Sequence, residues 1–293
     1  MPAFRSTVFA LGAILVISST SGCQKSQTTD PQTDQMSATA EEKSPAASEE
    51  KSIDPKMVIK PGEPMTAERY QAVKARLKEI GLALHNFHDK NRFFLPTPEE
   101  HPEYYDENGR LKVSWRVHIL PFLDQKELYE QFKLDEAWDS PHNASLAKKM
   151  PDAFRSPDTP AGSDKTRFRV FEGNREKDDE GEEKLTTIFP LGTPARIRDT
   201  LDGTSNTVMV VEVGPDKTVE WSKPGGLKLE HPTEELGATG SAVAILKGDG
   251  SVKLIKKDLD DTQWRAIVGP QDLTVITWND IEAKPAQEQS DEQ

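Results

Sequence analysis

Three observations predict an α+β fold. Apolar residues recur at intervals of four and three from Val73 to Phe87, the pattern of one helix face. Downstream, short apolar or alternating runs are separated by turn-forming residues, the pattern of strands. Near the C-terminus, "SAVAILKGDGSVKLI" places two apolar runs around a glycine-containing turn, a hairpin. A long N-terminal helix packed on a mainly antiparallel β-sheet follows.

The helix begins at Thr66, whose side chain suits an N-cap, with Glu68 in the first turn. Val73, Leu77, Ile80, Leu84 and Phe87 form its apolar stripe, and it stops between Asp89 and Arg92, before "FFLP". Residues 114–120 read equally as strand or helix, broken by Pro121. "DQKELYEQFKL" is a short helix started by Asp124, with Leu128 and Phe132 inward. "RFRVF", "TTIFPL" and "TVMVVEVG" are strand candidates. Between the first two lies "EGNREKDDEGEEK", with seven acids and three bases, which reads as a solvated loop. "DDTQWRAIV" is a last short helix capped by an Asp or Thr.

The flanks differ from this domain. The chain has 293 residues, an apolar share of 34% and a formal charge of −13. So acidic a surface repels phosphates, and nucleic acid is not an expected partner. After Arg5, "VFALGAILVIS" followed by "STSGC" has the make-up of a signal peptide, residues 1–22. Ser21-Gly22-Cys23 resembles the lipobox of bacterial lipoproteins, in which the cysteine is lipidated and becomes the first residue; the family usually has Leu where this chain has Thr20. Cys23 is the only cysteine, so no intrachain disulfide can form. Residues 23–64 are rich in Ser, Thr, Gln, Glu and Pro and poor in apolar residues, which makes them a disordered tether. The globular domain is expected over 65–281, and 282–293 form an acidic tail.

Seven ordered blocks carry a family resemblance: "RLKEIGLALHNFHDKNRFFLP", "SWRVHILPFLDQKELYEQF", "DEAWDSPHN", "FRSPDT", "IRDTLDGTSNTVMVVEVG", "VEWSKP" and "GDGSVKLI". Together they resemble a large planctomycete family of exported proteins of unknown function with a prepilin-like N-terminal helix, itself similar to type II secretion pseudopilins. The resemblance implies a helix laid across an antiparallel sheet and brings no enzymatic activity with it. This chain departs from the pattern twice. A lipoprotein-like signal and a tether replace the prepilin leader. Members usually carry a His, nine residues and Asp-Gly; here Thr239 stands at that distance before Asp249-Gly250.

Two groups of residues suggest a metal. His85, His88 and Asp89 sit within one helical turn, but zinc needs further ligands and no HExxH pattern is present. The structural alternative packs His88 at the helix–sheet seam and leaves His85 and Asp89 more exposed. Asp135, Glu136, Asp139 and Asn143 surround Trp138 in an oxygen-rich loop suited to Ca²⁺. Major pseudopilins hold calcium in a faintly similar loop, although the glycine expected after the tryptophan is Asp139 here. The alternative is a loop pinned by a buried Trp138 and a turn at Ser140-Pro141.

Asp202-Gly203-Thr204-Ser205-Asn206 lacks the spacing and lysine of a phosphate loop and reads as a turn. Glu212 lies among apolar neighbours and needs a partner if buried, with Arg196 or Arg198 nearest in sequence. Trp221, in "VEWSKPGG", is an aromatic near an edge strand that either meets a protein or glycan partner or packs on the sheet. No catalytic constellation emerges. The expectation is an exported, membrane-anchored lipoprotein facing the periplasm or cell surface, a non-enzymatic structural or interaction module. The alternative is a periplasmic metal-dependent enzyme or a calcium- or ligand-binding protein.

Overall fold

A computed structural model describes residues 53–177, 180–192, 194–271, 274 and 276–286. The signal peptide, Cys23, the tether up to residue 52 and the tail from 287 lie outside the described residues. The helices are α1 (Ala67–Asn91), α2 (Trp115–His118), α3 (Lys126–Tyr129), α4 (Pro141–Ala144), α5 (Pro232–Glu235), α6 (Asp261–Val268) and α7 (Trp278–Ile281). The strands are β1 (Lys165–Thr166), β2 (Phe168–Arg169), β3 (Glu172–Gly173), β4 (Arg175–Lys177), β5 (Glu183–Leu185), β6 (Phe189–Pro190), β7 (Val208–Glu212), β8 (Val219–Glu220), β9 (Ala242–Lys247) and β10 (Val252–Lys256). The fold is α+β.

Helix α1 starts where the local chemistry allows: the Thr66 hydroxyl accepts from the Arg69 N–H, and Glu68 sits in the first turn. It ends at Arg92, which adopts a left-handed conformation and donates its N–H to the His88 carbonyl. Val73, Leu77, Ile80, Leu84 and Phe87 are all buried.

The central sheet runs β10-β9-β7-β2 and is antiparallel throughout. Its side chains divide by the two-residue period of a strand. Ala242, Ala244 and Leu246 of β9 join the core that holds the α1 stripe. Val243 and Ile245 join a second core with Trp264, Ile267 and Val268 of α6. Both faces of β9 are therefore dry, which is why its sequence is apolar at consecutive positions. In β7 the pairing slips between Val208 and Val210, and Met209 and Val210 both fall in the first core. A side chain at Gly81 would meet Leu246 at 2.9 Å, so α1 and β9 approach closely there.

Several segments differ from expectation. Residues 114–120 resolve to helix, with α2 followed by a 3-10 turn over Leu120–Phe122. The helix expected to start at Asp124 is the four-residue α3, preceded by Gln125 as N-cap while Asp124 takes a left-handed conformation; Leu128 and Phe132 are buried as expected. The charged stretch read as a loop instead forms the antiparallel pair β4–β5, with β3 paired in parallel to β6. Strand pairing in β4 comes from backbone bonds that composition does not encode, and its three side chains are all exposed. Residues 53–64, grouped by composition with the tether, carry a 3-10 turn at Pro55–Met57 and a buried Ile59. Gly62 N–H donates to Thr239 O, and Ser241 N–H to Glu63 O. Beyond residue 281, Glu282 pairs with Lys253 and Ala286 N–H donates to Met65 O.

Leu77 is fully buried in the core shared by α1 and the sheet. Leu77→Ala should lower the unfolding free energy by about 2–5 kcal/mol, read as a shifted urea midpoint at unchanged slope.

Candidate functional site

Four charged side chains from distant parts of the chain meet under the first turn of α1. Arg69 Nη2 lies 2.7 Å from Glu212 Oε1 and 3.5 Å from Asp158 Oδ1. Arg167 Nη1 reaches both oxygens of Asp158 at 2.6 Å, its Nε donates to Val213 O at 2.7 Å, and its Nη2 is 3.9 Å from Glu212 Oε1. Asp158 also accepts from the Ile59 N–H at 3.2 Å. All four side chains are buried, with exposures of 1% for Arg69 and Glu212, 3% for Arg167 and 8% for Asp158. Two cations and two anions neutralise each other, which offsets the cost of taking the charges out of water.

This overturns the pairing expected for Glu212. Arg196 and Arg198 lie beside Asp199, at 3.5 and 3.9 Å, and Arg196 also covers the Phe93 ring at 4.9 Å. Nearness in sequence misleads because β7 carries Glu212 away from them and toward the start of α1.

Trp221 is also not a surface aromatic. It is fully buried, its indole N–H donates to Ala147 O at 2.8 Å, and its ring stacks on Phe154 and meets Phe132 edge-on. A protein or glycan partner cannot reach it. Strand β8 pairs with β1, and the residues after it turn inward onto the irregular 130–155 region.

The histidines of α1 flank one ring. His88 lies 4.9 Å from Phe94, and His85 meets Phe94 edge-on at 6.1 Å. His88 Nε2 accepts from the Ile197 N–H at 3.2 Å, and burial lowers its pKa from the ordinary histidine value. Asp89 is exposed, with its carboxylate 4.0 Å from His88 Nδ1. His85 is partly buried rather than turned outward, and its Nε2 faces the β9–β10 turn at Gly250.

In the Trp138 loop, Asn143 is committed to the backbone. Its carboxamide oxygen accepts from the Lys133 N–H, and its nitrogen donates to the carbonyls of Lys133, Glu136 and Ala137. Glu136 pairs with Lys133 at 2.8 Å, while Asp135 and Asp139 are exposed. Ser140 caps α4, and Trp138 packs on the core beneath Lys223. Among the described residues, no group of three or more His, Cys, Asp or Glu side chains is placed to hold a metal ion.

Two buried groups left no mark in the sequence. Arg116 is fully buried and, among the described residues, no carboxylate pairs with it. Its guanidinium donates to Phe168 O, Ser114 Oγ and Trp221 O and lies 4.7 Å from the Trp115 ring. Burial, and secondarily Arg169, lowers its pKa well below the usual arginine range. His118 is buried beside Tyr104, and burial pushes its pKa down to about 3. Thr239 is buried, and its carbonyl accepts from the Gly62 N–H.

The chain belongs to the family described as Protein of unknown function, DUF1559 (SBP_bac_10), whose model matches residues 69–242. All four members of the buried charge cluster fall in that span. No curated protein and no solved structure matches the chain.

Arg69→Ala takes away the 2.7 Å partner of buried Glu212 and leaves it only Arg167 at 3.9 Å, and should lower stability by about 3–5 kcal/mol. Arg196→Ala should cost less than about 1 kcal/mol, since its ion pair is partly exposed. Equal effects of the two substitutions on urea unfolding would defeat this assignment. His118 adds an acid-side sensitivity. The unfolded chain binds its proton near pH 6.5 and the native one only near pH 3, so stability falls as pH drops through 6.5. His118→Leu should flatten the fall between pH 6.5 and 5 by up to about 1.4 kcal/mol per pH unit.

Proposed function

We propose that this DUF1559 protein is an exported, lipid-anchored, non-enzymatic module of the cell envelope. Its pseudopilin-like domain is held by a tether from Cys23 and faces the periplasm or cell surface. The observation that carries the reading is where the domain's polar side chains are used. Glu212 is taken up by Arg69 and Arg167, Asn143 by four backbone groups, and His88 by the Ile197 N–H. Such groups hold a scaffold together rather than meet a substrate.

Two further points support it. The 25-residue α1 precedes a mainly antiparallel sheet, the order of elements in pseudopilins. Among the described residues no helix is long and apolar enough to cross a membrane, so attachment would fall to the N-terminal segment. Lipid on Cys23 supplies it, at about 0.8 kcal/mol for each buried CH₂. The partners are then the membrane and another envelope component, protein or glycan, with nucleic acid disfavoured by the charge of −13.

Mass spectrometry of the mature protein should find an N-terminal, lipid-modified Cys23, and Cys23→Ala should move the protein from the membrane to the soluble fraction. An unmodified N-terminus elsewhere would defeat the anchor. Elemental analysis of the purified protein should find no stoichiometric metal. One calcium per chain, lost on substituting Asp135 and Asp139, would favour the ion-binding alternative instead.

A further inference from the structure

A small cavity of about 50 Å³ opens where three stretches far apart in sequence converge: the turn ending at Arg110, strand β3 with β6, and residues 224–226. Its walls include Leu95, Leu111, Trp115, Val170 and Phe189. At its edge Arg110 Nη2 meets Glu172 Oε2 at 3.3 Å. Arg110 is half exposed and Glu172 is 21% exposed, so both charges are accessible from solvent.

We propose that this cavity binds a free α-amino acid with a small aliphatic side chain, of alanine, proline or valine size. The proposal goes beyond the envelope-module reading and does not depend on the anchor. Size sets the side chain: an apolar cavity of about 150 Å³ takes the six carbons of a benzene, so one a third as large takes about one to three carbons. Charge sets the rest of the ligand. An adjacent guanidinium and carboxylate complement a zwitterion, with Arg110 taking the α-carboxylate and Glu172 the α-ammonium. Their mutual contact uses one nitrogen and one oxygen, leaving the other edge of each group for the ligand.

The backbone around the mouth is bare. At Gly192 and Gly225, with φ of 75° and 98°, a side chain is disfavoured, and no heavy atom lies within 4 Å of where a Cβ would stand. A ligand can therefore lie directly against peptide groups. Trp115, which forms part of the wall, has a buried indole N–H with no acceptor among the described residues. An unmet buried donor is costly, and a ligand carboxylate oxygen is a suitable acceptor.

The test is isothermal titration of the full-length protein with L-alanine, L-proline, L-valine, L-phenylalanine, valinamide and N-acetylvaline. Valine or its smaller relatives should bind, phenylalanine should not fit, and both blocked valines should bind at least tenfold more weakly. Arg110→Ala and Glu172→Gln should each weaken binding at least tenfold at an unchanged melting temperature, whereas Cys23→Ala should bind as the parent does. Absence of binding by all three small amino acids at about 10 mM, a binding free energy weaker than about −3 kcal/mol, would overturn the proposal. So would N-acetylvaline binding as tightly as valine, because Glu172 would then have no ammonium to hold. The analogue series needs no variant, so a substitution that fails to fold leaves the test intact.

Discussion

Two guanidinium groups and two carboxylates, all withdrawn from water, tie the start of α1 to the sheet. Arg69 is the third residue of α1, Glu212 the last of β7, and Arg167 immediately precedes β2. Asp158 bridges the two arginines and also holds the Ile59 backbone. Removing any one of the four would leave a buried charge short of its partner at a cost of several kcal/mol, about 3–5, so they stabilise the fold as a set. That pairing sets where α1 begins relative to β7. It also brings the segment before α1 against the domain. Once α1 is placed, its stripe falls on the face of β9 that carries Ala244 and Leu246.

The same economy of polar groups explains how a domain with so little regular structure between α1 and β7 keeps one conformation. Short helices and two-residue strands leave many backbone carbonyls without ladder partners. Buried side chains reach them instead. Arg116 clasps Phe168 O and Trp221 O, Asn143 gathers three carbonyls of its loop, and Trp221 takes Ala147 O. Residues that look reactive in sequence are thereby absorbed into architecture. The Arg110–Glu172 pair differs because it stands at a surface opening rather than inside a closed network.

Burial on both faces of the sheet gives the β9–β10 hairpin its character. Alternate residues of β9 serve two separate cores, one with α1 and one with α6. Helix α6 is short, yet it is held firmly at its start, where Asp260 and Gln263 satisfy each other's backbone N–H groups. The bulge in β7 lets two consecutive side chains, Met209 and Val210, enter the same core.

Features set by neighbours within a few residues were legible in the sequence. The Thr66 cap, the α1 stripe, the β9–β10 hairpin and the helix after Asp260 all follow from hydrogen bonds and periodicities that span three or four positions. The α+β class followed from the same local signals. What the tertiary structure alone decided are the contacts made across the chain. Arg69 and Glu212 are 143 residues apart, and no local pattern distinguishes Arg69 from the nearer Arg196 as the partner. The inward turn of Trp221 depended on Phe132, Phe154 and the Ala147 carbonyl all reaching the same place. The cavity beside Arg110 exists only because three distant segments meet, and packing of that kind is a property of the assembled core rather than of any stretch within it.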